Sequence, residues 1–169
     1  MIITLRPATA DDLMSVGALH QRSRVSAYRP FLPREALAEP TAEMLGRYWV
    51  ERWSHERDSH LLTVAEQDAQ LAGFTYLGPE ETDPDTGLLC AIHLDPDRQG
   101  RGIGRALMID ALATLHRRGW RRANLWVLRD NGRARRFYER GGWVADGVER
   151  DEHFGPVTVR QLRYTRALP

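Results

Sequence analysis

The most constraining stretch of the chain is the apolar run Leu88–Leu94, closed by Asp95-Pro96-Asp97 and followed by Gly100, Gly102 and Gly104. A short apolar run ended by an Asp-Pro breaker reads as a buried strand. Directly after the glycines, Ile103, Leu107, Ala111 and Leu115 recur on one helical face, with Met108 and Leu112 beside it. A glycine-rich segment therefore joins the end of a strand to the first turn of a helix. That arrangement leaves backbone N–H groups unpaired at the positive end of a helix dipole, which favours an anion such as a phosphate or pyrophosphate. Glycine suits the position because a side chain would hold phosphates away from the amides.

Two common phosphate-binding motifs are excluded by the letters. A P-loop requires Gly-Lys-Ser/Thr, and the chain contains no lysine. A dinucleotide fingerprint requires a further glycine where Arg105 stands. The spacing is instead Gln99-x-x-Gly102-x-Gly104, preceded by a strand, Asp-Pro and a basic residue. Downstream lie Asn131, Ala134, Phe137-Tyr138-Glu139 and Gly141-Gly142-Trp143. In this order, and separated by one strand pattern, the two motifs closely resemble those of the GNAT N-acetyltransferase superfamily.

The 169 residues are enough for one domain, 1–169, with its own core. The 24 basic and 23 acidic residues argue against a generic polyanion binder. Their distribution is uneven: Arg98 to Arg140 holds twelve arginines against three acids. Arg117, Arg118, Arg121, Arg122 and Arg140 read mostly as solvated charge on helices, whereas Arg101 and Arg105 lie in or beside the glycine loop. The single cysteine, Cys90, excludes an internal disulfide framework and reads as a small core residue. With no transmembrane-length stretch and a strand pattern at the start, the expected compartment is cytoplasmic, with no membrane partner.

Ile2–Arg6 alternates and stops at Pro7, predicting a first strand, and Thr9-Ala10-Asp11-Asp12 has the form of a helix start. The helical pattern is expected to break between Arg24 and Pro33, and a second helix to begin near Pro40-Thr41. Leu61–Ala65 and Leu71–Leu77 flank Gln67-Asp68-Ala69-Gln70, a hairpin signature. An acidic loop, Gly78–Gly87, precedes the organising strand. After its helix come a strand over Asn124–Leu128, a short helix over Ala134–Arg140, and a closing pair over Trp143–Val148 and Val157–Tyr164.

That order resembles the GNAT fold throughout. The resemblance implies an α/β (α+β) domain with a mixed central sheet of about seven strands flanked by helices, splayed in a V between the fourth and fifth. It implies acetyl-CoA as cofactor, its pantetheine arm bonded to strand backbone at Ile92, His93 and Leu94. Its pyrophosphate would lie on Gln99, Gly100, Arg101, Gly102, Ile103, Gly104 and Arg105, and its arm would meet Asn131 and Ala134. Asn131 is also an ordinary helix N-cap. Tyr138 matches the family's general acid, which protonates the departing thiolate; a tyrosine beside Phe137 is equally a core residue.

The glutamate that many members carry at the start of the organising strand is here Leu88, which cannot act as a base. His93, able to titrate near neutrality, is a candidate base alongside His20 and the carboxylates of the Gly78–Gly87 loop. Tyr28, Phe31 and Leu32, with Trp49 and Trp53, are candidates for the acceptor site, and the acidic loop would favour a cationic amine. The function implied is acetyl transfer from acetyl-CoA to a primary amine, on a small molecule or a peptide, by direct attack. Alternatives are an acyl-CoA-binding module without turnover and an RNA-binding protein; the last lacks aromatic interleaving, so no nucleic acid is expected. No metal site is expected. The acceptor, the acyl range and the choice between monomer and homodimer stay open.

Overall fold

The computed structural model describes residues 2–169. Strand β1 (Ile3–Pro7) leads into a 3-10 turn, Ala10–Asp12, where Thr9 and Asp12 cap each other reciprocally. Helix α1 (Leu13–Tyr28) follows and does not break at Arg24. Its last turns continue because Arg24 is drawn over the ring of Phe154 and Tyr28 packs on Phe31 and Phe154. A one-turn helix, α2 (Arg34–Leu37), comes next, and α3 (Ala42–Glu56) begins with the Thr41 hydroxyl accepting from the Met44 N–H at 3.2 Å.

Strands β2 (Leu61–Gln67) and β3 (Gln70–Pro79) form the expected hairpin on Asp68-Ala69, both with positive φ, the turn geometry whose twist matches antiparallel strands. Strand β4 (Thr86–Leu94) leads to α4 (Ile103–Arg117), β5 (Arg122–Leu128) and α5 (Gly132–Arg140). The chain closes on the hairpin β6 (Val144–Phe154) and β7 (Val157–Ala167). The seven strands form one mixed sheet in the order β1-β2-β3-β4-β5-β7-β6. All neighbours are antiparallel except β4 and β5.

One face of the sheet is covered by α1 and α3, whose Leu13, Val16, Leu19 and Trp49 pack on Leu62, Val64, Phe74 and Tyr76. These helices cross at Gly17 and Gly46, where a Cβ on Gly17 would collide with the Gly46 backbone. The other face receives α4 through Ile103 and Leu107 over Ala65 and Ala72, then Met108, Ala111 and Leu115 over Leu77, Leu89 and Leu125. Tyr138, Trp143 and Tyr164 join that second core, so α5 is tied to the same side. A further cluster of Leu32, Ala36, Leu37, Leu128 and Phe154 seats the segment after α1 against the end of β5 and the final hairpin. No helix among the described residues is long and apolar enough to cross a membrane.

Candidate active site

The parallel ladder between β4 and β5 consists of Thr86–Arg122, Gly87–Ala123 and Leu88–Asn124, and goes no further. Beyond Leu88, β4 stays paired with β3 as far as Leu94, and β5 stays paired with β7 as far as Leu128. The two strands therefore part in a V, each with an unpaired backbone edge facing the gap. An extended ligand arm fills such a gap as an added strand would, by hydrogen bonds that require no particular side chain.

At the tip of β4 the chain passes through Pro96–Arg98 into the glycine segment. Gly100 and Gly102 take positive φ (78° and 84°), and a Cβ on either would meet nothing within 4 Å. The glycines thus satisfy the backbone conformation and leave the space above it open. The first α4 bond runs from the Ala106 N–H to the Gly102 carbonyl at 3.0 Å. The N–H groups from Gln99 to Arg105 have no backbone acceptor among the described residues. Together with the dipole of a 15-residue helix they form a cradle for an anion. Arg98 braces it from beneath, donating to the Gln67 side chain at 3.1 Å and to Gln70, with Asp95 3.7 Å away. Arg101 reaches the same Gln67 oxygen at 3.3 Å, while Arg105 is exposed.

Across the gap, α5 is fixed at its start by the Asn131 side chain, which accepts from the Ala134 N–H at 3.2 Å. It is fixed again by Arg135 donating to the Tyr164 hydroxyl (2.9 Å), which donates to Glu139 (2.7 Å). Between these anchors Tyr138 is 8% exposed, packed among Phe137, Trp143 and Tyr164. Burial, then the nearby Tyr28 phenol, raises its pKa above the ordinary value, so it stays protonated at working pH. Its hydroxyl has no hydrogen-bond partner among the described residues, which leaves it available to a ligand. Tyr28 belongs to α1 and packs on Phe31 and Phe154, while Tyr138 belongs to α5.

The wall on the α1 side is polar. The Ser23 hydroxyl lies 3.0 Å from Nδ1 of His93, and the rings of His93 and His20 are 4.3 Å apart. Trp49 donates its indole N–H to Nδ1 of His20 at 3.1 Å, which places the His20 proton on Nε2. Burial holds both imidazoles neutral: His20 is lowered to about 4, and His93 falls well below its usual range. Packed between Phe74 and His20 against α1, His93 is held below the near-neutral range that its residue type suggests. Cys90 is inert for the same reason, its thiol pushed up to about 11.

The sequence matches the acetyltransferase (GNAT) family over residues 26–143. The chain belongs to that family. A mycothiol acetyltransferase of Beutenbergia cavernae is 38% identical over 91 residues, 54% of this chain and 31% of the relative. A probable N-acetyltransferase of Mycobacterium tuberculosis is 29% identical over 154 residues, 86% of this chain and 82% of the relative. The chain thus spans about a third of the first and most of the second. A structure of the PaiA N-acetyltransferase of Thermoplasma acidophilum in complex with coenzyme A shares the fold: TM-score 0.77, 20% identity, 99% of each chain covered.

The cofactor of GNAT proteins is acetyl-CoA, and the residues present fit it: an open cradle of free amides ends β4, and two unpaired strand edges lead inward. Of the predicted contacts, Gln99 to Arg105 form that cradle, although Ile103 offers only its backbone because its side chain is buried. Ile92 and Leu94 send side chains to the α4 core, leaving their backbone for the gap, while His93 faces α1. Asn131 caps α5 through the Ala134 N–H, and its side-chain amide nitrogen remains free to donate. Among the acceptor candidates, Tyr28 and Phe31 pack together against Phe154 and its cluster, and Leu32 is a core residue. Trp49 is buried as well, acting on the site only through His20. In the acidic loop, Glu80 turns inward to Asn124 (3.5 Å) while Glu81 and Asp85 remain exposed. Ser23 and Arg24 were not legible as site residues. Their only sequence signal is that Arg24 stands one helical turn after His20 and one before Tyr28.

Proposed function

We propose that this chain transfers the acetyl group of acetyl-CoA to a primary amine by direct attack within a ternary complex. The observation that carries the reading is the V between β4 and β5, with a phosphate cradle at the end of one strand and Tyr138 on the opposite side. Acetyl-CoA supplies the acetyl group as an activated thioester. The amides of Gln99 to Arg105 hold its pyrophosphate, and the free edge of β4 from Ile92 to Leu94 holds the arm.

The amine enters from the α1 side as the neutral free base. Its nitrogen forms the new C–N bond to the acetyl carbon while the C–S bond breaks. Tyr138, kept protonated by burial, gives its proton to the departing sulfur. His93, neutral and oriented by Ser23, takes the proton that the nitrogen must lose and passes it to solvent, which returns one to Tyr138. A weak base suffices here because the nitrogen becomes strongly acidic once it has attacked. Leu88, in place of a strand carboxylate, is consistent with an enzyme that does not deprotonate a free ammonium ion. The test is thiol release from acetyl-CoA across a panel of amines: amine-dependent release supports the reading, and CoA binding without release from any amine contradicts it.

A further inference from the structure

Arg24, on α1, has no part in the reaction above. It is 8% exposed, and its guanidinium carbon lies 4.6 Å from the centroid of Phe154. Its Nη1 is buried without a hydrogen-bond partner. Glu152 is the one carboxylate that acts on Arg24, through its field and without an ion pair or hydrogen bond among the described residues. A buried cation without a counter-ion is costly, and folded chains rarely keep one unless something engages it. Phe154 covers one face of the guanidinium, so the N–H edge is what remains to be satisfied.

The position of that edge is informative. His20 lies one turn before Arg24 and Tyr28 one turn after it, with Ser23 adjacent. Ser23 lies 3.0 Å from His93, and Tyr28 packs on Phe31 and Phe154. Arg24 thus stands beside the pair Ser23–His93, the group assigned to the reacting nitrogen. An anion bound there would be a short distance from the attacked carbonyl. The planar fork of arginine matches a carboxylate with two parallel N–H···O bonds.

We infer that Arg24 binds a carboxylate of the acceptor, which makes the acceptor an amino acid, a primary amine with a carboxylate on the same or a neighbouring carbon. This rests on the acetyl-transfer reading and narrows it; simple alkylamines and polyamines are excluded as preferred acceptors.

The experiment compares free amino acids with their carboxamides, which lose the charge and keep the shape. Rates are expressed per neutral amine, since amidation also changes the amine pKa. The wild type should prefer the acids by roughly ten- to a hundredfold in kcat/KM, the range for a charged hydrogen bond. In Arg24→Met that preference should collapse to parity, and Arg24→Lys should recover part of it. Equal rates for acid and carboxamide in the wild type, or a preference that survives Arg24→Met, would overturn the inference while leaving acetyl transfer standing.

A second arm does not need turnover. N-acetyl amino acids should raise the melting temperature of the wild type and not of Arg24→Met, with their carboxamides inactive in both. CoA should stabilise both proteins equally. Without any ligand, Arg24→Met should melt no lower than the wild type, because the substitution removes an unpaired buried charge. A large fall in melting temperature, or loss of the CoA shift, would make Arg24 a structural or cofactor residue and defeat the proposal. If no amine is acetylated, the acetyl-transfer reading fails, and the melting arm still decides whether Arg24 binds a carboxylate.

Discussion

Gly102→Glu separates the cofactor site from the fold. Gly102 caps α4 with φ 84° and ψ 3°, and no atom stands within 4 Å of a Cβ placed there. The structural cost is therefore backbone strain alone, about 1–2 kcal/mol for a residue with a side chain in the left-handed region. For a chain of this size that lowers the melting temperature by roughly 2–8 °C. A carboxylate near a helix N-terminus returns about 0.3–1 kcal/mol, so the net destabilisation falls at the lower end. The effect on CoA is much larger, because the new carboxylate competes for the amides of Gln99 to Arg105 and repels the phosphates. Losing two charge-assisted hydrogen bonds costs about 3–6 kcal/mol, or roughly a hundred- to ten-thousandfold in Kd. Titration calorimetry with CoA, alongside a melting curve of each protein, measures both quantities. Gly102→Ala serves as the control, with the same strain, no added charge and a smaller loss of affinity. If Gly102→Glu folds and binds CoA as the wild type does, the cradle is not the cofactor site.

Tyr138→Phe keeps the ring among Phe137, Trp143 and Tyr164, so its melting temperature should be nearly unchanged, while kcat falls roughly ten- to ten-thousandfold with little change in the KM for acetyl-CoA; unchanged turnover, with chemistry rate-limiting, returns Tyr138 to a packing role. Because His20 and His93 are both held neutral by burial, kcat/KM should rise with pH along the acceptor's own ionisation, and an inflection shared by all acceptors at about 6–7 that disappears in His93→Ala would contradict this. The Arg6 hydrogen bonds lower Asp12 from 3.8 to about 2, so the stability they contribute is complete above the unfolded value and is lost as pH falls through the folded one. Asp12→Asn should therefore cost roughly 1–2 kcal/mol at neutral pH after solvent screening, only a fraction of that at pH 2 and nothing well below it, read from denaturation midpoints at each pH; a cost independent of pH would rule out the charge as its source.

The elements that follow from local chemistry were legible. Leu88–Leu94 and Asp95-Pro96 mark β4 and its end, Ile103 to Leu115 mark the buried face of α4, and Asp68-Ala69 marks the hairpin, because each is a short-range pattern of burial or turn preference. The end of α1 was not, since Arg24 and Tyr28 break an apolar stripe on paper yet are held inward by Phe154, a residue far along the chain. Strand β6 was placed but drawn short, because it is an exposed edge strand with little apolar alternation to mark its length. α2 is a single turn between prolines, too short to leave a period. The backbone geometry of the candidate cofactor side was readable, because the glycine loop, the N-cap and Tyr138 each sit in a contiguous motif. The acceptor side was not, because Ser23 and His93 are separated by 70 positions and only the packing of α1 on β4 brings them together. The neutrality of His93 is likewise a property of that burial and cannot be read from its letter.

The central claim is that the acetyl group passes directly to the amine within the V, with no covalent stop on the protein. A single turnover with limiting acetyl-CoA, quenched at successive times and followed by intact-mass spectrometry of protein and amine, tests it most directly. Direct transfer requires acetylated amine to appear in step with free CoA, protein of unchanged mass at every time, and no CoA release when the amine is omitted. A transient acetylated protein that forms without amine and decays when amine is added would contradict it.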